Sequence, residues 1–283
     1  VVYVGKKLGS KDQTPYEYAI KKVSKGKNIS NTALIKEIEI NSIIHHNNIV
    51  QCFDIFEDDF DVYFVFEMMP DGDLFDYIIK QPEHHLKDKE ILIILEQIFL
   101  VLIYLHEKIK ITHRDIKPEN FMLKINKGYP TIKLMDFGTS DFNQKNGFTS
   151  ITQGTPNYIA PEIYLEKPYT SKIDMWATGV VLYNMVTGSH PFQNGVQDLS
   201  ISRENRSEIE DQKIIDEVLH KEINFNLITN LELRELAKHL LERDPNKRAS
   251  ALEAYDQLVK IKKGKEFSYT EKKRKIFDSE IKN

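Results

Sequence analysis

One cysteine, Cys52, is all that the 283 residues contain. An intrachain disulfide is excluded, as is a metal cluster built on cysteine, and the expectation is a reducing compartment, the cytoplasm with the nucleus as alternative. Charge of one sign is also scarce. Thirty-nine Lys+Arg against 43 Asp+Glu leave a formal net charge of −4, which gives no whole-chain argument for a nucleic-acid or membrane partner. Long apolar runs are missing too. The most apolar stretch, Ile91 to Leu105, is interrupted by Glu96 and Gln97. It falls short of the roughly 20 apolar residues a membrane span needs and predicts a buried core helix. There is no internal repeat, no EF-hand loop and no Gly-x-x-x-x-Gly-Lys-Ser/Thr segment, and the last absence argues against a P-loop nucleotidase. No signal peptide is visible; the chain opens inside a strand-like run, Val1-Val2-Tyr3-Val4, and reads as N-terminally truncated.

What is present is ordinary in bulk: 41% hydrophobic and 29% charged residues, enough for one large domain or two lobes around a cleft. Residues 1–69 predict a small, mainly β lobe with one helix. Strand-like runs at Val1–Lys7 and Tyr16–Val23 flank the turn Gly9-Ser10-Lys11-Asp12. Leu34, Ile35, Ile38, Ile43 and Ile44 recur at helical spacing within Thr32–Ile44, and Ile49–Phe56 and Val62–Glu67 are again strand-like. Pro70-Asp71-Gly72-Asp73 has turn chemistry and marks a hinge.

Residues 70–262 predict a larger, mainly helical lobe. Its helices are expected at Leu74–Lys80, Lys87–Glu107, Lys172–Thr187 (closed by Gly188), Glu210–His220, Asn230–Leu241 and Ser250–Ile261, with a hairpin from Phe121–Ile125 and Thr131–Met135. Gln193 to Arg206 predicts a surface insertion, and residues 263–283 a basic tail. The fold class expected is α+β in two lobes.

The chemistry concentrates in His113-Arg114-Asp115-Ile116-Lys117-Pro118-Glu119-Asn120 and, downstream, Asp136-Phe137-Gly138. These segments put two acids and an amide on loops that end neighbouring short strands. Phosphoryl transfer asks for such a set: a carboxylate to orient the attacking hydroxyl and take its proton, and oxygen ligands for magnesium on the phosphates. Asp115 fits the first role, Asn120 and Asp136 the second. Lys117 can reach the same γ-phosphoryl and neutralise developing charge. A lone Asp-Phe-Gly is an ordinary turn in most proteins; the eight-residue block followed by it at this distance is a specific signal.

On these residues the chain resembles the eukaryotic protein kinase family, over about residues 1–262. The resemblance implies ATP and magnesium as cofactors and a protein hydroxyl as acceptor. Lys21, in Ala19-Ile20-Lys21, matches the strand lysine that grips the α- and β-phosphates. Glu37, nine residues before His46-Asn47-Asn48-Ile49, matches its helix partner, with Glu39 as the rival. Phe66 would back the nucleotide pocket, Glu67 and Met69 would offer backbone groups to adenine, Asp73 would meet the ribose, and Val2, Ala19 and Met122 would sandwich the base, although plain core packing also explains them. Gly154-Thr155-Pro156 to Ala160-Pro161-Glu162 is similar to the substrate-docking loop, with Glu162 pairing Arg248, and Asp174-Met175-Trp176 to the helix whose acid braces the catalytic loop.

Lys117 and Thr155 are the choices of Ser/Thr-specific relatives, so the implied substrate is a protein Ser/Thr. Arg114 would receive a phosphate carried on Thr149, Ser150 or Thr152, unless the segment is ordered without one. Asp73-Leu74-Phe75-Asp76, the 25-residue step from Asp136 to Pro161 and Ser189-His190-Pro191-Phe192 resemble the calcium/calmodulin-dependent and calcium-dependent group, which implies a calcium-sensing regulator among the partners. The basic tail from Lys262-Lys263 onward is either a regulatory helix or a solvated tail.

The sequence departs from the family in three places. The Gly-rich phosphate loop would end at Val2, so its glycines are expected before residue 1. Asn41 stands where an apolar residue is usual, and Asn184 where some kinases that prefer basic substrates keep a glutamate, leaving Asp73 and Glu119 as acids for a basic side chain. The competing reading is a catalytically silent scaffold of the same fold. Loss of the strand lysine or of either acid is its usual mark, and all three are present.

Overall fold

A computed structural model describes residues 1–6, 17–26, 31–126, 128–144, 147–148, 154–192 and 208–264. The small lobe is one antiparallel sheet built from β1 (Val2–Lys6), β2 (Glu17–Ser24), β3 (Cys52–Glu57) and β4 (Asp61–Glu67), in the order β1-β2-β4-β3. Directly opposed residues share a face. The register Val2↔Lys21, Val4↔Ala19 and Lys21↔Phe64 therefore puts Val2, Ala19, Lys21 and Phe64 on one side. That side carries a small core of Val23, Val62 and Phe64 with Leu34 of helix α1 (Asn31–Ile43). The expected turn at Gly9 to Asp12 lies outside the described residues, but the strands on either side of it pair as a hairpin requires.

Helix α1 buries Leu34, Glu37, Ile40 and Asn41 at helical spacing. Leu34 belongs to the small core while Ile40 packs in the large one, so one helix is seated in both lobes. The large lobe begins with α2 (Leu74–Ile79) and α3 (Asp88–Ile103). The sequence predicts one helix from Lys87 to Glu107; instead regular α-helix ends at Ile103 and the chain widens into π-helical turns over Tyr104–Ile109. Lys110 then takes left-handed backbone.

Four short strands follow: β5 (Ile111–Thr112), β6 (Phe121–Asn126), β7 (Tyr129–Leu134) and β8 (Asp141–Phe142). They pair in a nested way, β6 with β7 and β5 with β8, both antiparallel. Residues 113–120 lie between β5 and β6, and residues 135–140 between β7 and β8, so the nesting holds these two loops side by side. The remaining helices are α4 (Pro161–Tyr164), α5 (Lys172–Thr187), α6 (Glu208–His220), α7 (Leu231–Leu240) and α8 (Ala251–Gly264). Helices α3 and α5 are buried nearly all round, which is why their sequences show apolar runs in place of an amphipathic stripe. Helix α5 stops where expected, at Gly188, whose φ of 66° closes the C-terminus in left-handed backbone.

The last helix runs past its expected end at Ile261. Helix α8 continues to Gly264, and Lys262 is buried and paired with Glu96 of α3 at 2.8 Å. It anchors the helix to the lobe centre instead of opening a solvated tail. The stretch from Gln193 to Arg206 and the chain beyond Gly264 lie outside the described residues.

Candidate active site

Lys21 leaves β2 on the face toward the large lobe and is met by two acids. Its Nζ lies 2.7 Å from Glu37 Oε1 and 2.8 Å from Asp136 Oδ1. Burial alone would lower the Lys21 pKa, but the negative charges and hydrogen bonds of Asp136 and Glu37 outweigh it, and the value rises. Asp136 answers in the opposite direction: burial pushes it up, the Lys21 charge and hydrogen bond push harder, and it falls below the usual carboxylate range. The pair is held ionised from both sides.

Glu37 is 2% exposed and Glu39 is exposed, so the helix partner of Lys21 is settled by geometry. Gly138 lies close by, where an added Cβ would stand 3.3 Å from Asp136 Oδ1 and 3.4 Å from Glu37 Oε2. Any larger residue would crowd the cluster. Asn41 is buried one turn on and donates its side-chain N–H to the Glu37 carbonyl at 2.8 Å. The polar residue in an apolar position is thus satisfied within its own helix.

Across the cleft Asp115 has both carboxylate oxygens engaged. Oδ1 accepts from the backbone N–H of Thr155 at 3.2 Å and from its hydroxyl at 3.1 Å. Oδ2 lies 2.9 Å from Lys117 Nζ and accepts from Asn120 Nδ2 at 3.0 Å. Lys117 also donates to Thr155 Oγ1 at 2.8 Å. Four residues singled out in the sequence, Asp115, Lys117, Asn120 and Thr155, therefore form one network.

The loop that carries them is braced from below. Asp174 of α5, fully buried, accepts the backbone N–H groups of His113 and Arg114 at 2.9 Å each and meets His106 Nε2 at 2.8 Å. Arg114 and Asp136 both take left-handed backbone, φ 70° and 62°. For residues other than glycine such backbone is strained and persists where the surroundings over-determine it. Phe137, 3% exposed, packs edge-on against His113 with ring centroids 5.0 Å apart.

The residues expected around adenine lie along the junction of the lobes. Asp73 bridges to Met122 in antiparallel fashion and also caps α2, accepting the Asp76 N–H at 2.8 Å. Phe66 is half-buried and stacks on Phe64 with centroids 5.9 Å apart. The Glu67 N–H is taken by the Gln51 carbonyl at 2.9 Å, and its side-chain Oε2 by Lys133 at 2.5 Å, so that N–H is already spent within the protein. Met69 is buried at 7% exposure. Val2 is 62% exposed, on the same face as Lys21.

Glu162 and Arg248 pair as expected, through two hydrogen bonds of 2.7 and 2.9 Å, at 2% and 0% side-chain exposure. Asn184 is 1% exposed and donates to the Ser189 carbonyl, so it is closed off from any substrate. Thr149, Ser150 and Thr152 lie outside the described residues. Two interactions were not legible in advance. Asp141 meets both Lys36 and Arg114, and Lys133 anchors Glu67. Each joins residues far apart in sequence without a motif to flag it.

A sheet lobe over a helical lobe, with a lysine from the first facing two acidic loops of the second, defines a phosphotransferase of the kinase class. The chain belongs to the protein kinase family: the family model described as protein kinase domain matches residues 4–259, which includes every residue of the Lys21, Asp115 and Asp136 networks. Among the described residues, no helix is long and apolar enough to cross a membrane.

Proposed function

We propose that the chain is an active Ser/Thr protein kinase, moving the γ-phosphoryl of Mg-ATP onto a protein hydroxyl. The observation that carries this reading is the Lys21–Asp136 pair beside the Asp115 network, the two loops being joined where the Met135 N–H meets the Asn120 carbonyl at 2.9 Å. A silent scaffold of this fold would have no need to keep all three ordered.

The donor set fits a magnesium–triphosphate. Asp136 spends Oδ1 on Lys21, and Asn120 uses its amide N–H groups on Asp115. That leaves Asp136 Oδ2 and the single amide oxygen of Asn120 as the hard ligands that would hold magnesium. A bound ion would neutralise phosphate charge there. Lys21 would hold the non-transferred phosphates, and Glu37 fixes the direction of its ammonium.

Asp115 is the group that orients the incoming hydroxyl and takes its proton. Thr155 and Asn120 hold its carboxylate from both sides, so it is aimed before substrate arrives. Lys117, in contact with Asp115 and Thr155, supplies positive charge where the transferred group develops negative charge. The Lys117–Thr155 pair supports Ser/Thr over Tyr as acceptor.

Acidic groups beside the catalytic loop support a basic residue in the substrate. Glu119 has a buried carboxylate oxygen, Oε2, without a hydrogen-bond partner. Burial first, and the nearby Asp115 and Asp73 charges, raise its pKa. Burial raises Asp73 likewise. An arriving Arg or Lys would relieve both. Calcium dependence rests on sequence resemblance alone.

The test is a peptide array presenting Ser, Thr and Tyr acceptors with and without an upstream Arg, incubated with Mg-ATP in the presence and absence of calcium. Labelling confined to Ser/Thr spots, strongest with Arg, is expected. Labelling of Tyr spots alone would overturn the acceptor assignment, and no labelling at all would favour the scaffold.

A further inference from the structure

Two cations from different lobes meet on one carboxylate beneath the site. Lys36 of α1, the residue before Glu37, places Nζ 2.6 Å from Asp141 Oδ2. Arg114, the residue before Asp115, places a terminal guanidinium nitrogen 3.7 Å from the same oxygen. Asp141 opens β8, where pairing with Thr112 of β5 fixes its position relative to the catalytic loop, and its Oδ1 accepts the Phe142 N–H at 2.9 Å.

Arg114 is further held by the Thr139 carbonyl at 2.5 Å and the Tyr169 hydroxyl at 3.5 Å, and its guanidinium lies 5.5 Å from the Phe148 ring centroid. Its side chain is 12% exposed, as is that of Asp141. A guanidinium so far out of water requires an anion, and Asp141 is the anion it has.

We propose that Asp141 is a positioning residue for phosphoryl transfer, tying the helix that carries Glu37 to the loop that carries Asp115. The inference rests on the kinase reading above. Helix α1 is seated in the large lobe through Ile40 and in the small core through Leu34. Lys36 lies one turn before Ile40, so its bond to Asp141 adds a polar tether on the helix between those two seats. With the tether released, α1 can pivot on its apolar contacts and carry Glu37 away from Lys21. The sequence pattern reserves Arg114 for a phosphate on the activation segment; here a carboxylate encoded in the chain meets it. The Lys21–Glu37 alignment is then held without added phosphate.

The test compares wild type with Asp141→Asn, Asp141→Glu, Lys36→Met, the double variant Lys36→Met/Asp141→Asn, and a triple Ala variant at Thr149, Ser150 and Thr152. Readouts are kcat and KM for Mg-ATP, melting temperature, and amide hydrogen exchange across residues 31–43. Asp141→Asn is expected to lower kcat/KM for Mg-ATP roughly 10–100-fold, the scale for misplacing a site group, and to speed exchange in α1 selectively. Asp141→Glu should recover most of the loss. The double variant should be no worse than Asp141→Asn alone, because both changes cut the same link. The triple Ala variant should keep its activity.

Unchanged α1 exchange in Asp141→Asn, additive losses in the double variant, or inactivity of the triple Ala variant would each overturn the proposal. Should Asp141→Asn fail to fold, Lys36→Met, at a half-exposed position, carries the same test. Should wild type show no transfer, the kinase reading fails, while the exchange comparison still decides whether the tether exists.

Discussion

Lys21, on a strand of the small lobe, donates a hydrogen bond of 2.8 Å to Oδ1 of Asp136, on a loop of the large lobe. The two are 115 residues apart in sequence, and their meeting joins the small lobe to the large one. Each shifts the other's pKa toward the charged form, so the bond persists across the physiological range.

The two partners should fail differently. Asp136→Asn removes a proposed metal ligand and is expected to abolish the magnesium-dependent part of nucleotide binding, measured by titration calorimetry with and without the ion. Lys21→Met should retain weak binding while transfer falls by orders of magnitude. Equal calorimetric profiles for wild type and Asp136→Asn would remove Asp136 from the metal role.

Glu162 and Arg248 form a buried, doubly hydrogen-bonded pair, and Arg248 also lies 5.2 Å from the Trp176 ring centroid. Truncating one member leaves the other charge buried alone, at a cost of about 3–5 kcal/mol. Glu162→Ala should therefore shift the chemical-denaturation midpoint strongly. Replacing both residues with apolar ones should recover part of the loss. An unmoved midpoint would mean that the pair contributes little.

Asp174 gives the structure a defined response to acid. Burial pushes its pKa up, but the hydrogen bond and charge of His106, the His113 charge and the His113 amide outweigh it and hold it below its ordinary 3.8. A depressed carboxylate contributes stability that is fully present above that ordinary value and is lost as pH falls through the lower folded one. The stability gap between wild type and Asp174→Asn should accordingly be constant near neutrality and close in strong acid. Stability curves that run parallel throughout would contradict this.

Cys52 makes a simpler prediction. Burial, the largest cause, drives its thiol from 9.0 up to about 11, which lowers the thiolate fraction about 100-fold. Iodoacetamide at mildly alkaline pH should label the folded protein far more slowly than the unfolded one.

The Asp115 network was legible because its members, apart from Thr155, sit at short, fixed spacing in the segment from His113 to Asn120. Glu37 was legible only through its distance to His46, and burial decides it over Glu39. The Lys36–Asp141–Arg114 cluster was not legible, since its members meet only once β5 pairs with β8. Helix α3 was drawn too long because its apolar run continues through Leu105, while backbone geometry after Ile103 widens without a proline or glycine to announce it. The burial of Lys262 was not legible because a lysine is rarely buried, and nothing in its sequence neighbourhood pointed to Glu96, 166 residues away.

Asp115 is the proposed base of the transfer step. Transfer of labelled γ-phosphoryl from Mg-ATP to a Ser-containing substrate should be measured for wild type and Asp115→Asn beside nucleotide affinity. Robust transfer is expected from wild type, and a loss of orders of magnitude in the variant with affinity nearly unchanged. Transfer that persists in Asp115→Asn at the wild-type rate would contradict that role.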